Sequence, residues 1–134
     1  MAWIQRAIVL PQMKRGFHLI TRHLVEALPE LAAMEVGLLH VFLQHTSASL
    51  TINENADPDV PRDMLHALRT LIPQHGMGFR HGEENSDAHI KASLTGSSVM
   101  IPFEDGKLLL GRWQGIFLCE FDGGRERQVI MVIH

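Results

Sequence analysis

The carboxyl-terminal part of the chain is the segment with least freedom. Runs of strand character at Ser98–Phe103, Leu108–Leu110, Gly115–Asp122 and Arg125–Ile133 are separated by short breaks, two of them the turns Glu104-Asp105-Gly106 and Gly123-Gly124. Turns this tight return a chain antiparallel to itself, so these runs are expected to form an antiparallel meander. Within the third run Gln114, Ile116, Leu118, Glu120 and Asp122 share one parity, and Phe117, Cys119 and Phe121 share the other. Glu120 therefore falls on an apolar face and is expected to be partly buried. Arg125 and Arg127, past the Gly-Gly turn, are placed to reach Glu120 or Asp122, or to clamp a phosphate or carboxylate.

The amino-terminal part alternates strand and helix signals. Trp3–Leu10 and Gly16–Ile20 show period-two patterning around a turn at Pro11–Arg15 and are expected to pair as a hairpin. Thr21 is placed to cap a helix carrying Leu24, Ala27, Leu28 and Leu31, with Pro29 kinking it. Leu38–Gln44 is apolar on both faces apart from His40 and Gln44, the pattern of a central strand, and His45 stands at its end. A short strand at Ser49–Asn53 precedes a helix started by Asp57 and Pro58, whose stripe of Val60, Met64, Leu68 and Ile72 runs to Pro73. Gln74–Asn85, with three glycines, is the longest loop. A short helix over Ala88–Leu94 follows, capped by Ser86 or Asp87 and closed by Gly96. Three short helices among at least seven strands point to an α+β fold, an antiparallel sheet or sandwich with helices packed against it.

At 134 residues the chain fits one domain over 1–134, in which folding buries roughly 65–70% of the extended surface. The lone Cys119 excludes an internal disulfide and alternates with Phe117 and Phe121 as a core thiol; cysteine usage suits a reducing cytoplasm. The stretch from Met1 to Arg6 lacks the basic and apolar regions of a leader peptide, and no apolar run approaches the ~18 residues of a membrane span. The formal charge is −3, so no broad attraction to nucleic acid is expected. The unusual count is nine histidines without a single tyrosine.

Three stretches gather polar residues that packing does not demand: His45-Thr46-Ser47-Ala48, Asn53-Glu54-Asn55-Ala56-Asp57, and His81 through His89. Imidazoles with carboxylates suit zinc and similar metals, although the spacing matches no compact metal motif. The alternative is that His45 caps a strand end while His81 and His89 are solvated. Thr46 and Ser47 beside His45 do not make a nucleophile pair, because neighbours on a strand face opposite ways and no nucleophile elbow is present. Their hydroxyls are expected to donate to an anion or to serve turns. Asp57 reads as a helix cap, whereas Glu54 has no such local explanation.

The motifs His45-Thr46-Ser47-Ala48-Ser49, Asn53 through Val60, Asp87-Ala88-His89-Ile90-Lys91-Ala92-Ser93-Leu94, Leu110 through Ile116, and Phe121-Asp122-Gly123 with Arg125 and Arg127 occur in order. Together they resemble the YjbQ family, also called the secondary thiamine-phosphate synthase family. Phe79, Arg112 and Gly124 stand where the family more often carries tyrosine, threonine and proline. The resemblance implies a β-sandwich or barrel-like sheet, assembly as a homotrimer, and a polar pocket holding His45, His81 and His89 near a subunit interface. It also implies joining hydroxymethylpyrimidine diphosphate to hydroxyethylthiazole phosphate with release of pyrophosphate. On that basis Glu54, Asp87, His45 and His89 are the expected catalytic groups. Thr46, Ser47, Asn53, Asn85, Lys91, Gln114, Arg125 and Arg127 are expected to contact substrate, and His45, His81 and His89 to hold a divalent ion, Zn²⁺ or Mg²⁺. The competing expectations are a metal-dependent hydrolase and a trimeric metal- or ligand-binding protein without turnover.

Overall fold

The structure, a computed structural model, describes residues 3–134; of the amino-terminal stretch read as leader-free, residues 1–2 lie outside it. Among the described residues, eight strands make two antiparallel sheets. In chain order they are β1 (Ile4–Leu10), β2 (Gly16–Leu19), β3 (Val36–Leu43), β4 (Ala48–Glu54), β5 (Ser98–Glu104), β6 (Lys107–Leu108), β7 (Gln114–Glu120) and β8 (Arg127–Ile133). The larger sheet is curled and runs β1-β8-β3-β5-β6; the smaller runs β2-β7-β4. The helices are α1 (Thr21–Glu26), α2 (Asp59–Leu71) and α3 (Ser86–Thr95), with a 3₁₀ turn at Pro29–Ala33. The fold is thus α+β, as the pattern of elements predicts.

The period-two pattern translates directly into the core. Inward residues of β1, β3, β5 and β8 (Leu10, Leu39, Val41, Ile101, Phe103, Val129, Met131) meet Leu50, Ile116 and Leu118 of the smaller sheet in one buried cluster. Leu24, Leu28 and Leu31 close the end of that cluster. The other face of the small sheet carries Cys119 and Phe121, which pack against Ala88 and Ala92 of α3, with Phe17 and Leu68 at the margin. Cys119 is therefore a core thiol, and burial pushes its pKa up to about 12.

Three local expectations are corrected. β1 and β2 do not form a hairpin: β1 pairs with β8 over Ile4↔Ile133 to Leu10↔Arg127, while β2 pairs with β7 in the other sheet. The meander holds only for β5 and β6, since Gly123-Gly124 carries the chain from the small sheet to the large one. Thr21 does not cap its helix. Its Oγ1 instead accepts from the Ile116 N–H, and Pro29 opens a separate 3₁₀ turn. Each correction has the same physical basis. Turn chemistry fixes where a chain reverses, and burial of both strand faces decides which strands then meet.

The central position of β3 is as expected, between β8 and β5. It brings Gly37 under the Phe103 ring and beside the last residue, where a Cβ would lie 2.5 Å from the His134 carbonyl oxygen and 2.5 Å from the Phe103 ring. The His134 carbonyl accepts from the Leu38 N–H, so it cannot retreat without losing that bond. Gly37→Ala should therefore destabilise the fold by about 1–3 kcal/mol, read as a lower denaturant midpoint with an unchanged slope.

Candidate functional site

The chemistry-bearing residues divide along the small sheet. At the end where β4 begins and β7 finishes, Arg127 of β8 reaches across between the sheets and forks onto Glu120, with Nε donating to Oε1 at 2.7 Å and Nη2 to Oε2. Nη2 also donates to Ser47 Oγ at 3.1 Å. Glu120 Oε2 accepts the backbone N–H groups of Asp122 (3.2 Å) and Gly123 (2.9 Å). Arg127, Glu120 and Ser47 are all buried. The sequence leaves Arg127 and Ser47 as substrate contacts, and the structure corrects this: Arg127 spends its guanidinium on the Glu120 carboxylate and on Ser47, whose hydroxyl accepts from Arg127 inside the protein.

Glu120 sets the path of the following turn, and that turn places Asp122. Asp122 Oδ2 accepts from Asn85 Nδ2 and from Arg125 Nη2, both at 2.8 Å. Asn85 begins α3. One turn of that helix holds Asp87, fully buried, whose Oδ2 accepts Lys91 Nζ at 2.7 Å and Arg15 Nη1 at 3.1 Å. Burial alone would push the Asp87 carboxyl up, but Lys91 and Arg15 outweigh it and hold the pKa below its ordinary value. Lys91 is itself buried, so the expected substrate contact is replaced by this i,i+4 ion pair. Two buried acceptors here have no hydrogen-bond partner, Asn85 Oδ1 and Asp87 Oδ1. Leaving a buried polar atom unpaired costs roughly 1–3 kcal/mol, which packing alone gives no reason to accept.

On the exposed side of the same helix start, the rings of His81 and His89 meet edge to face at 5.5 Å between centroids. Arg125 is half-exposed and lies 3.7 Å from Glu83 as well as against Asp122. Arg15, which the sequence places in a plain turn, bridges Asp87 and the Asp122 backbone carbonyl. Nothing in its local pattern separates it from a solvated turn cation.

His45 takes a different role from the one its motif suggests. The backbone N–H of Gln128 donates to His45 Nε2 at 2.8 Å. A neutral imidazole has one lone pair, and a backbone N–H can only donate, so the ring proton sits on Nδ1. That lone pair is then taken, and His45 offers neither a metal ligand nor a base from Nε2. Burial lowers its pKa, and Arg127 and Arg125 outweigh Glu120 in lowering it further.

The remaining candidates lie elsewhere. Asn53, Glu54 and Gln114 sit at the opposite end of the small sheet, where Glu54 pairs with Gln114, whereas Ala48 pairs with Glu120. Six residues of strand separate the two ends, about 20 Å at the usual rise per residue. Asn53 accepts the Glu54 N–H through Oδ1 at the end of β4, and Gln114 accepts the Gly111 N–H through Oε1 across a turn, both local contacts. Thr46 is exposed beside His45. Among the described residues no three His, Cys, Asp or Glu side chains are gathered as metal ligands. With the His45 lone pair occupied as well, the expected three-histidine site does not fit within one chain.

Comparison with known proteins agrees with this architecture. The family model described as UPF0047 protein YjbQ-like matches residues 6–134. The UPF0047 protein YjbQ of Salmonella typhimurium is 48% identical over 135 residues, 98% of this chain and 97% of the relative. That of Escherichia coli O157:H7 is 42% identical over 130 residues, covering 93% and 94%. A crystal structure of an uncharacterized YjbQ/UPF0047 protein from Clostridium acetobutylicum superposes with a TM-score of 0.83 at 46% identity, covering 96% and 97% of the two chains. A YbjQ-like protein of unknown function from Sulfolobus solfataricus gives 0.86 at 25% identity, covering 98% and 96%. Among the described residues, no helix is long and apolar enough to cross a membrane.

Arg127→Met should cost about 3–5 kcal/mol in chemical denaturation, because it strands the buried Glu120 charge. Adding Glu120→Gln, which keeps the acceptor for the turn amides but removes the charge, should recover part of that loss. Stability should also depend on His45. Its folded pKa lies below the ordinary 6.5, so the unfolded chain binds the extra proton first. The stabilisation is complete above the ordinary value and is lost as pH falls from there through the folded pKa. Thermal melts between pH 7.5 and 5.5 should show this decline, with a shallower slope in His45→Gln.

Proposed function

The chain belongs to the UPF0047 protein YjbQ-like family, and on that premise we propose that the start of α3 binds a small phosphorylated molecule and catalyses the thiamine-phosphate-forming transfer. In that reaction the thiazole nitrogen of hydroxyethylthiazole phosphate attacks the methylene carbon of hydroxymethylpyrimidine diphosphate. The carbon–oxygen bond to the diphosphate breaks, and pyrophosphate leaves with the electron pair. The observation that carries this reading is the buried Asp87, gripped on one oxygen by Lys91 and Arg15 and unpaired on the other, beside the unpaired Asn85 Oδ1. Two acceptors held without donors suit a heterocycle that brings N–H groups, as an aminopyrimidine does.

Around them stand the groups that the leaving diphosphate needs. Arg125 supplies a half-exposed guanidinium, and the paired rings of exposed His81 and partly buried His89 supply N–H donors. Asp87 acts by holding Lys91 and Arg15 in place. The expected divalent ion enters as the counter-ion of the diphosphate substrate, with no step assigned to it.

The same proposal includes assembly as a homotrimer. Val9, Leu38, Phe42, Met100, Ile130 and Val132 share the outer face of the large sheet, and Val9, Phe42 and Met100 are about half exposed, at 54%, 48% and 52%. A largely apolar sheet face of this kind, interrupted by His40 between Met100 and Val132, suits an association surface. Assembly also gives Asn53, Glu54 and Gln114 a route to the reaction, by facing the α3 start of a neighbouring copy.

Incubating the two thiamine precursors with magnesium should yield thiamine phosphate and pyrophosphate. Asp87→Asn should reduce the rate by about 10²-fold or more, measured at a temperature where circular dichroism shows the variant still folded, because the stranded Lys91 charge also lowers stability. A rate at background for the unaltered protein, with precursor binding retained, would favour the binding protein without turnover. Light scattering at micromolar concentration should give three times 15.1 kDa.

A further inference from the structure

A cavity of about 280 Å³ opens between the link from β3 to β4 and the carboxyl-terminal half of α3, lined by His45, Thr46, Ala48, Ala92, Ser93 and Ser97. With His45 neutral, none of its lining side chains is charged; the walls are small residues and hydroxyls. Ser93 lies four residues past His89, one turn along the same face of α3, and its hydroxyl donates to the His89 carbonyl. The cavity therefore continues the surface that carries the His81–His89 pair.

The ring of His45 is fixed at its rim by strand β8, through the Gln128 N–H held at Nε2. Its remaining donor, Nδ1–H, has no hydrogen-bond partner among the described residues, and it is not among the buried atoms cut off from solvent. Thr46 and Ser97, both exposed, add two hydroxyls at the same opening. The charges acting on the ring are Arg127, Glu120 and Arg125, two guanidiniums against one carboxylate. They disfavour a cationic imidazole, although Arg127 is itself paired with Glu120 and Arg125 with Asp122; what leaves room for an oxyanion is a free ring N–H and hydroxyls with no carboxylate in the lining.

We propose that this cavity receives a phosphoryl group, one of whose oxygens accepts a hydrogen bond from His45 Nδ1–H while the imidazole stays neutral. His45 is then a positioning donor on the ligand, aimed by the backbone of β8. The proposal takes from the function proposed above only that the ligand is phosphorylated, and its test reads neither turnover nor a thiamine precursor.

The two amide replacements of histidine separate the roles of its nitrogens. His45→Gln can place an acceptor near Nε2 and keep the tie to Gln128, but it loses the donor at Nδ1. His45→Asn can place a donor near Nδ1 and loses the tie. Long-range nitrogen–proton spectra of the full chain at pH 7.5 should show His45 protonated on Nδ1 and unprotonated on Nε2. Titration with inorganic phosphate, at ionic strength held constant with chloride, should shift the His45 Nδ1 resonance and the amides of Ala92, Ser93 and Ser97. His45→Gln should weaken that binding at least tenfold, and His45→Asn should weaken it less than His45→Gln does. A proton on Nε2, equal phosphate binding by wild type and His45→Gln, or no shift at these residues would each overturn the proposal. Shifts confined to His81, His89 and Arg125 would overturn it too, while leaving the site at the start of α3 standing.

Discussion

The bidentate pair between Arg127 and Glu120 is the constraint on which the rest of the molecule depends. It joins β8 of the large sheet to β7 of the small one, and through Ser47 it also holds the link into β4. Two buried charges carry a desolvation cost of several kcal/mol each, offset only when nearly every lone pair and proton is used. Here the carboxylate accepts from both guanidinium arms and from two turn amides. The geometry of the turn after β7 follows from those amide bonds, and with it the position of Asp122, Asn85 and the start of α3. The candidate site is thus an outgrowth of a structural ion pair.

Much of this was legible in the residues themselves. The parity of Gln114–Asp122 correctly separates Cys119, Phe117 and Phe121 from Ile116, Leu118 and Glu120, and it puts Arg127 within reach of Glu120 and Arg125 within reach of Asp122. Side-chain alternation is a local property of extended chain, so a single strand suffices to read it. Strand partners are not local. The Pro11–Arg15 and Gly123-Gly124 segments look like hairpin turns, yet each passes the chain from one sheet to the other. Only the burial of whole faces makes that choice.

For the candidate site, the motifs around His81–His89 keep their residues together because they are continuous with one helix start. Arg15 escapes notice because its partners, Asp87 and Asp122, are far along the chain. Within one chain, Glu54 stands apart from the histidines for the opposite reason. Motifs close in sequence, Ser47 and Glu54, lie at the two ends of one strand, and an extended segment separates its ends faster than any other conformation. His45 shows a third kind of limit. Residue type announces an imidazole, but only the Gln128 N–H decides which nitrogen keeps the proton.

The pairing of β1 with β8 has a bearing on how the chain reaches its native state. β8 lies between β1 and β3, so the first strand and the central strand of the large sheet both wait for the last strand of the chain. During synthesis β1 has no ladder partner in the large sheet, and β3 lacks one of its two, until β8 has emerged. Contacts of such long sequence separation make for slow, all-or-none folding. The strand partners of β1 are therefore among the last residues made, and the large sheet gains its ladder as a unit rather than strand by strand along the chain.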